Sequence, residues 1–308
     1  MFALDNRNEK TTRKAFEAFT QSQVLRPPIV DGTCFRPDLE YGSIVENEGR
    51  KRANIYWPPN VRRIKGDPSP FLNHLAKLVP NEADRAVVLH YMAGCVQFAG
   101  HKFQWFPLLV GVEGNGKTLL SKVVAYACGQ RYTHWPAANK LGKDFNAWVF
   151  GRTFFAIEDL KIGDATEVWE KLKPLITGEM LEIEGKGVDQ RTDEICGNFL
   201  ANSNHKNAIK ATLNDRRVAH IWTAQETVAD LHACGMAGDY MSRLYDWLKA
   251  DGYAIVAEFL YALPLPPEHG LNWLKGRAPA TSSLSDAIAM GRGQIEQEVL
   301  EAVERDEV

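Results

Sequence analysis

No two cysteines stand close enough along the chain to form a metal knuckle or a redox pair. Cys34, Cys95, Cys128, Cys196 and Cys234 are scattered singly, with no C-x-x-C, which excludes a zinc ribbon and a disulfide framework of the secreted kind. No apolar run reaches the roughly eighteen residues needed to cross a bilayer. The opening residues, MFALDNRNEKTTRK, lack the apolar stretch of a secretory signal. The protein is therefore expected in the cytoplasm, with no membrane partner. An excess of positive charge is missing as well. Lys and Arg number 36 against 39 Asp and Glu, a net charge of -3, which excludes a generally basic surface that coats nucleic acid. Any such contact has to be local. The 308 residues, 45% hydrophobic and 24% charged, are enough for one large or two ordinary domains with a substantial core.

What is present is a phosphate-binding loop. The apolar run from Phe106 to Val112 reads as a buried strand and breaks into Gly111-Val112-Glu113-Gly114-Asn115-Gly116-Lys117-Thr118, with a helical pattern from Leu119 to Cys128 and a stop at Gly129. Polyphosphate needs many donors and little side-chain bulk. Gly114 and Gly116 allow backbone N–H groups from Gly111 through Leu119 to face it at a positive helix N-terminus. Lys117 adds a point charge, and the Thr118 hydroxyl suits magnesium. ATP and Mg2+ are the expected cofactors.

Downstream, the run Arg152 to Ile157 reads as a second buried strand, ending in Glu158 and Asp159. Carboxylates at a strand end beside a phosphate loop suit the two tasks of holding metal and orienting the attacking water. Their order leaves open which acid does which. Residues 165–176 follow as a helix. Met180–Glu184 and Gln190–Cys196 alternate on either side of Gly185-Lys186-Gly187, a hairpin tipped by a lysine. A third strand, from Gly197, ends in Asn202-Ser203-Asn204, where Asn204 can bond a γ-phosphate or a water. Arg216 and Arg217 precede a fourth apolar strand ending at Trp222.

Around this core the pattern is mostly helical. Residues 12–20 read as a short amphipathic helix with Phe16 and Phe19 on one side, and residues 41–57 as a hairpin turning at Gly49. Trp57 to Pro70, rich in proline and charge, reads as a linker. Residues 71–98 form two helices separated at Pro80, with Asn81 and Asp84 resembling a capping box. Lys143 to Val149 suggests another short helix. From Met236 to Ala262 two helices are expected, broken at Gly252; 277–284 reads as a loop and 293–308 as an acidic helix or tail. The divisions are 1–69 for arm, hairpin and linker, 70–100 for a helical subdomain, 101–222 for the core, and 223–308 for a C-terminal helical region and tail.

The succession of phosphate loop, acidic pair, K-x-x-x-T-G helix end, lysine-tipped hairpin and Asn-ending strand resembles the superfamily 3 helicases. These are a branch of the AAA+ ATPases, and the likeness is to the helicase portion of phage, plasmid and large-virus primase-helicases, over about Asn54 to Trp222. The resemblance implies an α/β fold: a P-loop AAA+ core with a parallel sheet and flanking helices, plus a helical subdomain built from segments before and after it. It implies a DNA helicase active in replication of a phage, prophage or plasmid-like element, inside a bacterial host cell. Partners would be single-stranded or forked DNA and further copies of the chain in a ring of six; because no zinc pattern or acidic polymerase triad precedes the loop, either a separate primase or initiator protein supplies priming or this chain is a piece of a longer one. Glu158 and Asp159 then match the family's acidic motif, and Asn204 its sensor. Lys186 matches the DNA-gripping hairpin, and Lys173 is a residue that could reach nucleotide across the subunit boundary. The pair Arg216-Arg217 matches the arginine finger, with Arg217, next to the strand, favoured over Arg216. Two other readings of the same loop are a P-loop phosphotransferase, which would leave the hairpin and sensor strand unexplained, and an ATP-dependent assembly or switch module that unwinds nothing.

Overall fold

The computed structural model describes residues 2–3, 10–24, 28–47, 49–137, 140–141, 146–162, 166–185, 188–212 and 214–291. It divides into two units: Met1–Cys34 with Leu39–Tyr56, and Phe35–Asp38 with Trp57–Val308. In the smaller unit β1 (Phe2–Ala3) pairs with β2 (Thr11–Thr12), followed by α1 (Ala15–Thr20). A three-stranded sheet follows, with β5 (Arg50–Asn54) between β3 (Gly32–Cys34) and β4 (Ile44–Asn47). The expected hairpin is β4–β5, and Gly49 supplies the left-handed φ of +73° at its turn. The expected apolar side of the first helix is not buried: Phe16 and Phe19 are 81% and 57% exposed. Six residues are too few to carry an apolar stripe onto a core.

In the larger unit, α2 (Ser69–Leu78) and α3 (Glu82–Gln97) are the expected pair of helices. Asn81 caps α3 by accepting the Asp84 N–H at 3.1 Å. The apolar run then enters β6 (Phe106–Val110), all five residues buried, and the loop opens α4 (Lys117–Cys128). After β7 (Thr133–His134) and β8 (Phe154–Ile157) come α5 (Thr166–Thr177) and the hairpin β9 (Met180–Gly185) and β10 (Val188–Glu194). Two further buried strands, β11 (Asn198–Ser203) and β12 (Val218–Trp222), complete a five-stranded, all-parallel sheet of order β12-β6-β11-β8-β7. Such a sheet is buried on both faces, which is why its strands read as near-continuous apolar runs. The fold is α/β, as expected, a parallel sheet with flanking helices.

The remaining helices are α6 (Val228–Ala233), α7 (Tyr240–Trp247), α8 (Tyr253–Ala262), α9 (Leu271–Leu274) and α10 (Leu284–Gly291). Helix α8 returns against the helices before the core: Gln97 donates to the carbonyls of Leu260 and Leu263 at 2.7 and 2.8 Å. An aromatic cluster of Tyr91, Phe103, Trp105 and Trp273 ties α3 to the entrance of β6 and to α9, with ring centroids 4.4–5.6 Å apart.

Two expectations need correcting. Gly252 does not break the C-terminal helices. It has helical angles, φ -56° and ψ -41°, and Leu248–Gly252 forms a π turn that carries α7 straight into α8. The stretch after Trp57 is no free linker: the Ile64 N–H donates to the Ala254 carbonyl, Arg62 pairs with Asp251 at 2.8 Å, and the Arg63 guanidinium lies 3.9 Å over the Tyr261 ring. Residues 277–283 are a loop, as expected, and this loop runs as a strap along the edge strand β12. Ala278 N–H donates to Arg216, the Thr281 hydroxyl to His220, and Trp222 N–H to the Ser283 hydroxyl, so the open edge of β12 is covered. Of the expected helix at 143–149 a 3-10 turn, Ala147–Val149, is described and residues 142–145 lie outside the described residues, as do residues 293–308 of the tail. None of the five cysteines is in a disulfide. Among the described residues no helix is long and apolar enough to cross a membrane.

Candidate functional site

Three neighbouring parallel strands, β6, β11 and β8, deliver their carboxyl ends to one place, where ligands bind in open α/β sheets. From β6 comes the phosphate loop. Gly111 has no room for a side chain, since a Cβ there would lie 1.8 Å from the Thr223 hydroxyl. Gly116 has φ +90° and a Cβ would meet the His74 ring at 2.6 Å, so a non-glycine residue is both strained and blocked. Glu113 and Gly114 are exposed. Asn115 is fully buried and braces the loop from within: its amide donates to Thr223 Oγ1 at 2.9 Å, and its carbonyl oxygen faces the Lys117 N–H and Nζ. Leu119 is a core residue, 0% exposed.

Lys117 opens α4 and is 6% exposed. Its three N–H donors have four acceptors in reach: the carbonyls of Gly111 and Val112 at 2.8 Å, and Oδ1 of Asn115 and of Asn204 at 3.1 Å. Burial lowers its pKa to about 8, opposed by the charges of Glu158, Asp159 and Glu113. Thr118 Oγ1 donates to Glu158 Oε2 at 2.5 Å. A hydroxyl and a carboxylate this close, at a helix N-terminus facing phosphate space, are the hard oxygen donors that Mg2+ takes when phosphates supply the rest of its shell. The residues present fit that cation.

Glu158 and Asp159 have different surroundings. Glu158 is half-buried between Thr118 and Asn202; Asp159 is exposed, with the left-handed φ of +52° that non-glycine residues seldom adopt. Asn204, one step beyond β11, faces both sides of the site: Oδ1 toward Lys117, and Nδ2 3.5 Å from Asp159 Oδ1. Lys117, Thr118, Glu158, Asp159 and Asn204 are thus brought together.

The remaining candidates lie elsewhere. Lys173, on α5, pairs with Glu170 one turn before it. Arg216 is exposed and Arg217 half-buried, its Nε buried with no hydrogen-bond partner among the described residues. Both precede β12, whose first residue, Val218, is aligned with Phe106 at the start of β6; the Arg217 carbonyl accepts the Phe106 N–H at 2.9 Å. The arginines therefore stand at the opposite end of the sheet from the phosphate loop. Five strand residues, roughly 17 Å, separate the two ends, too far for either side chain to reach its own loop. Lys186 lies outside the described residues; the strands flanking it pair as expected.

Sequence reasoning missed three supports. Asn202 is 2% exposed and donates to both Ser121 Oγ (3.0 Å) and Glu158 Oε1 (2.9 Å). It sits two residues before Asn204, on the same face of β11, and that period of two was the signal available. His74 is fully buried, with Nε2 3.4 Å from the Gly116 carbonyl and Nδ1 3.2 Å from the Tyr240 hydroxyl; burial lowers its pKa to about 4. Thr223 and Gln225, just after β12, hold the loop from below, the Gln225 carbonyl accepting the Val112 N–H at 3.0 Å.

Comparison with known proteins locates this arrangement. A sequence family described as a family of unknown function (DUF5906) matches residues 109–217, from the phosphate loop to the arginine pair. No curated protein matches the chain. Among solved structures, the A form of the apo C-terminal region of NrS-1 superposes with a TM-score of 0.70 at 17% identity, over 93% of this chain and 66% of that one. A second apo structure of that region gives 0.70 at 18%, over 88% and 62%. The chain thus spans a little under two-thirds of those neighbours, and at this identity the likeness is one of fold. The X-ray structure of JCV helicase gives a TM-score of 0.38 at 13% identity, too remote to carry an argument.

Proposed function

We propose that the chain is an ATP-driven DNA translocase of the superfamily 3 helicase type, working as a ring in the replication of a phage, prophage or plasmid-like element. The observation that carries this reading is the pair of hydrogen-bonded sets Asn202–Glu158–Thr118 and Lys117–Asn204–Asp159, side by side at the carboxyl ends of three adjacent strands. In it Lys117 and the loop N–H groups bind the β and γ phosphates of ATP. Thr118 and Glu158 hold Mg2+, which when bound would neutralise charge on the phosphate oxygens. Asp159, exposed and free of the Thr118 bond, is then the base that orients and deprotonates the attacking water. Asn204 ties that base to the phosphate-binding lysine and so registers the γ-phosphate. The placement of Arg216 and Arg217 at the far end of the sheet supports a finger acting on a neighbouring copy. Arg217 remains the favoured one by its position beside the strand, with the more exposed Arg216 a close second. Lys173 is a second candidate for contact across that boundary.

Hydrolysis would move the hairpin and its Lys186, which grips sugar-phosphate without reading bases. Family likeness implies 3′ to 5′ travel. The test is steady-state ATP turnover with and without single-stranded DNA, on the wild type and on Lys186→Ala. DNA is expected to stimulate the wild type several-fold and the variant little. Turnover indifferent to DNA in the wild type would end the translocase reading and favour a phosphotransferase or an assembly switch.

A further inference from the structure

Among the described residues the hairpin that flanks Lys186 is a two-stranded sheet, β9 and β10, and a two-stranded ribbon is marginal by itself in water. Something has to hold it if it is to transmit force. On the inner edge β9 pairs with β10, Ile183 opposite Arg191 and Glu182 opposite Thr192, with a register shift between Val188 and Arg191 near the tip. On its outer edge the backbone groups of Glu182 and Glu184 are bonded by Asn146. The Asn146 N–H donates to the Glu184 carbonyl at 3.2 Å, Asn146 Nδ2 donates to the Glu182 carbonyl at 2.8 Å, and the Glu184 N–H donates to Asn146 Oδ1 at 2.7 Å. One asparagine, through its main chain and amide together, imitates a third strand. It does so two residues before Lys186.

Asn146, Glu182 and Glu184 also border an open pocket of about 360 Å³, together with Leu141, Trp148, Pro174, Leu175 and Leu181. Ile183, buried in one core cluster with Leu172, Leu175 and Ile176 of α5, anchors the inner side of the hairpin root. The segment bearing Asn146 runs through the turn Ala147–Val149 into β8, whose end bears Glu158 and Asp159. Asn146 thus joins the strand that carries the acidic pair to the strand that carries the basic tip.

We propose that Asn146 is a positioning residue for the DNA-contacting hairpin, a latch that fixes β9 to the ATPase core beside this pocket. The proposal rests on the translocase reading above. The test uses Asn146→Ala and Asn146→Asp in the full chain. The aspartate keeps the acceptor for the Glu184 N–H and loses the donor to Glu182, so it preserves shape should the alanine variant fold poorly. Two readouts are compared: hydrogen exchange across residues 180–194, and the concentration of single-stranded DNA that half-saturates stimulation of ATP turnover.

Loss of these bonds is expected to speed exchange at Glu184 about tenfold in Asn146→Ala and less in Asn146→Asp. The half-saturating DNA concentration is expected to rise several-fold in the same order. Unchanged exchange in both variants overturns the latch. Faster exchange with an unaltered DNA response also overturns it, because Asn146 would then serve only the local fold. A wild type that does not respond to DNA at all sinks the translocase reading and this role with it, and is told apart by needing no variant.

Discussion

Asn202 carries more of the site than its place in the sequence advertises. Its amide nitrogen serves Ser121 and Glu158 together, and its Oδ1 is buried without a partner among the described residues. Removing it leaves the Glu158 carboxylate without one of its two orienting bonds, and partners behind a metal ligand are commonly worth about 10- to 100-fold. Asn202→Ala is expected to lower Mg2+-dependent ATP turnover by that order and to raise the Mg2+ concentration needed, which a metal titration of the rate measures. A second prediction concerns Lys117. Its pKa of about 8 lies below that of a free lysine, so the ammonium proposed to bind phosphate is present below pH 8 and is lost as pH rises through it. A bound polyphosphate favours the charged form, so binding takes up a proton in that range. Affinity for a non-hydrolysable ATP analogue should weaken from pH 7.5 to 9.5, approaching about tenfold per unit above pH 8. In Lys117→Arg, which stays charged, the profile should be flat across that range by calorimetric titration. At this scale the sequence displayed the residues with chemistry, Lys117, Thr118, Glu158, Asp159 and Asn204. It did not display Asn202, His74 or Thr223, whose work depends on contacts between distant segments.

Elements were legible where a pattern repeats. The buried strands announced themselves as apolar runs, the hairpin by alternation about a Gly-Lys-Gly turn, and α3 by its Asn81 cap. What misled was glycine read as punctuation. At Gly252 the absent side chain makes room for the Trp247 indole five residues earlier, 2.6 Å from where a Cβ would be, and the π turn absorbs the extra residue. Gly252→Ala, favourable by helix propensity alone, should therefore destabilise the protein by about 1–3 kcal/mol through overpacking. Denaturant unfolding measures this; a stabilised variant would show that the Trp247 indole moves aside without cost and would contradict the overpacking argument. The stretch after Trp57 misled in a similar way. Proline and charge suggested a free linker, but its arginines face Asp251, Glu258 and Tyr261 on the C-terminal helices, partners almost two hundred residues away.

For the molecule as a whole, the sheet order sets what a single copy can do. With β11 between β6 and β8, lysine, sensor asparagine and acids meet at one end, and the parallel run of β12 beside β6 sends the arginine pair to the other. On the proposed function, neither end completes a hydrolytic site alone, and a head-to-tail contact between copies is the arrangement that would join them. The separation could not be read from the sequence, in which Arg217 stands only 13 residues after Asn204 (217 − 204), because strand direction and neighbour order decide it. The most direct measurement is ATP turnover by an equimolar mixture of Lys117→Ala with the double variant Arg216→Ala/Arg217→Ala, each inactive alone. A site shared between copies predicts that mixing restores activity, up to roughly a quarter of the wild-type interfaces in randomly mixed rings. A mixture as inactive as its components, or a double variant that turns over ATP like the wild type, would contradict the account.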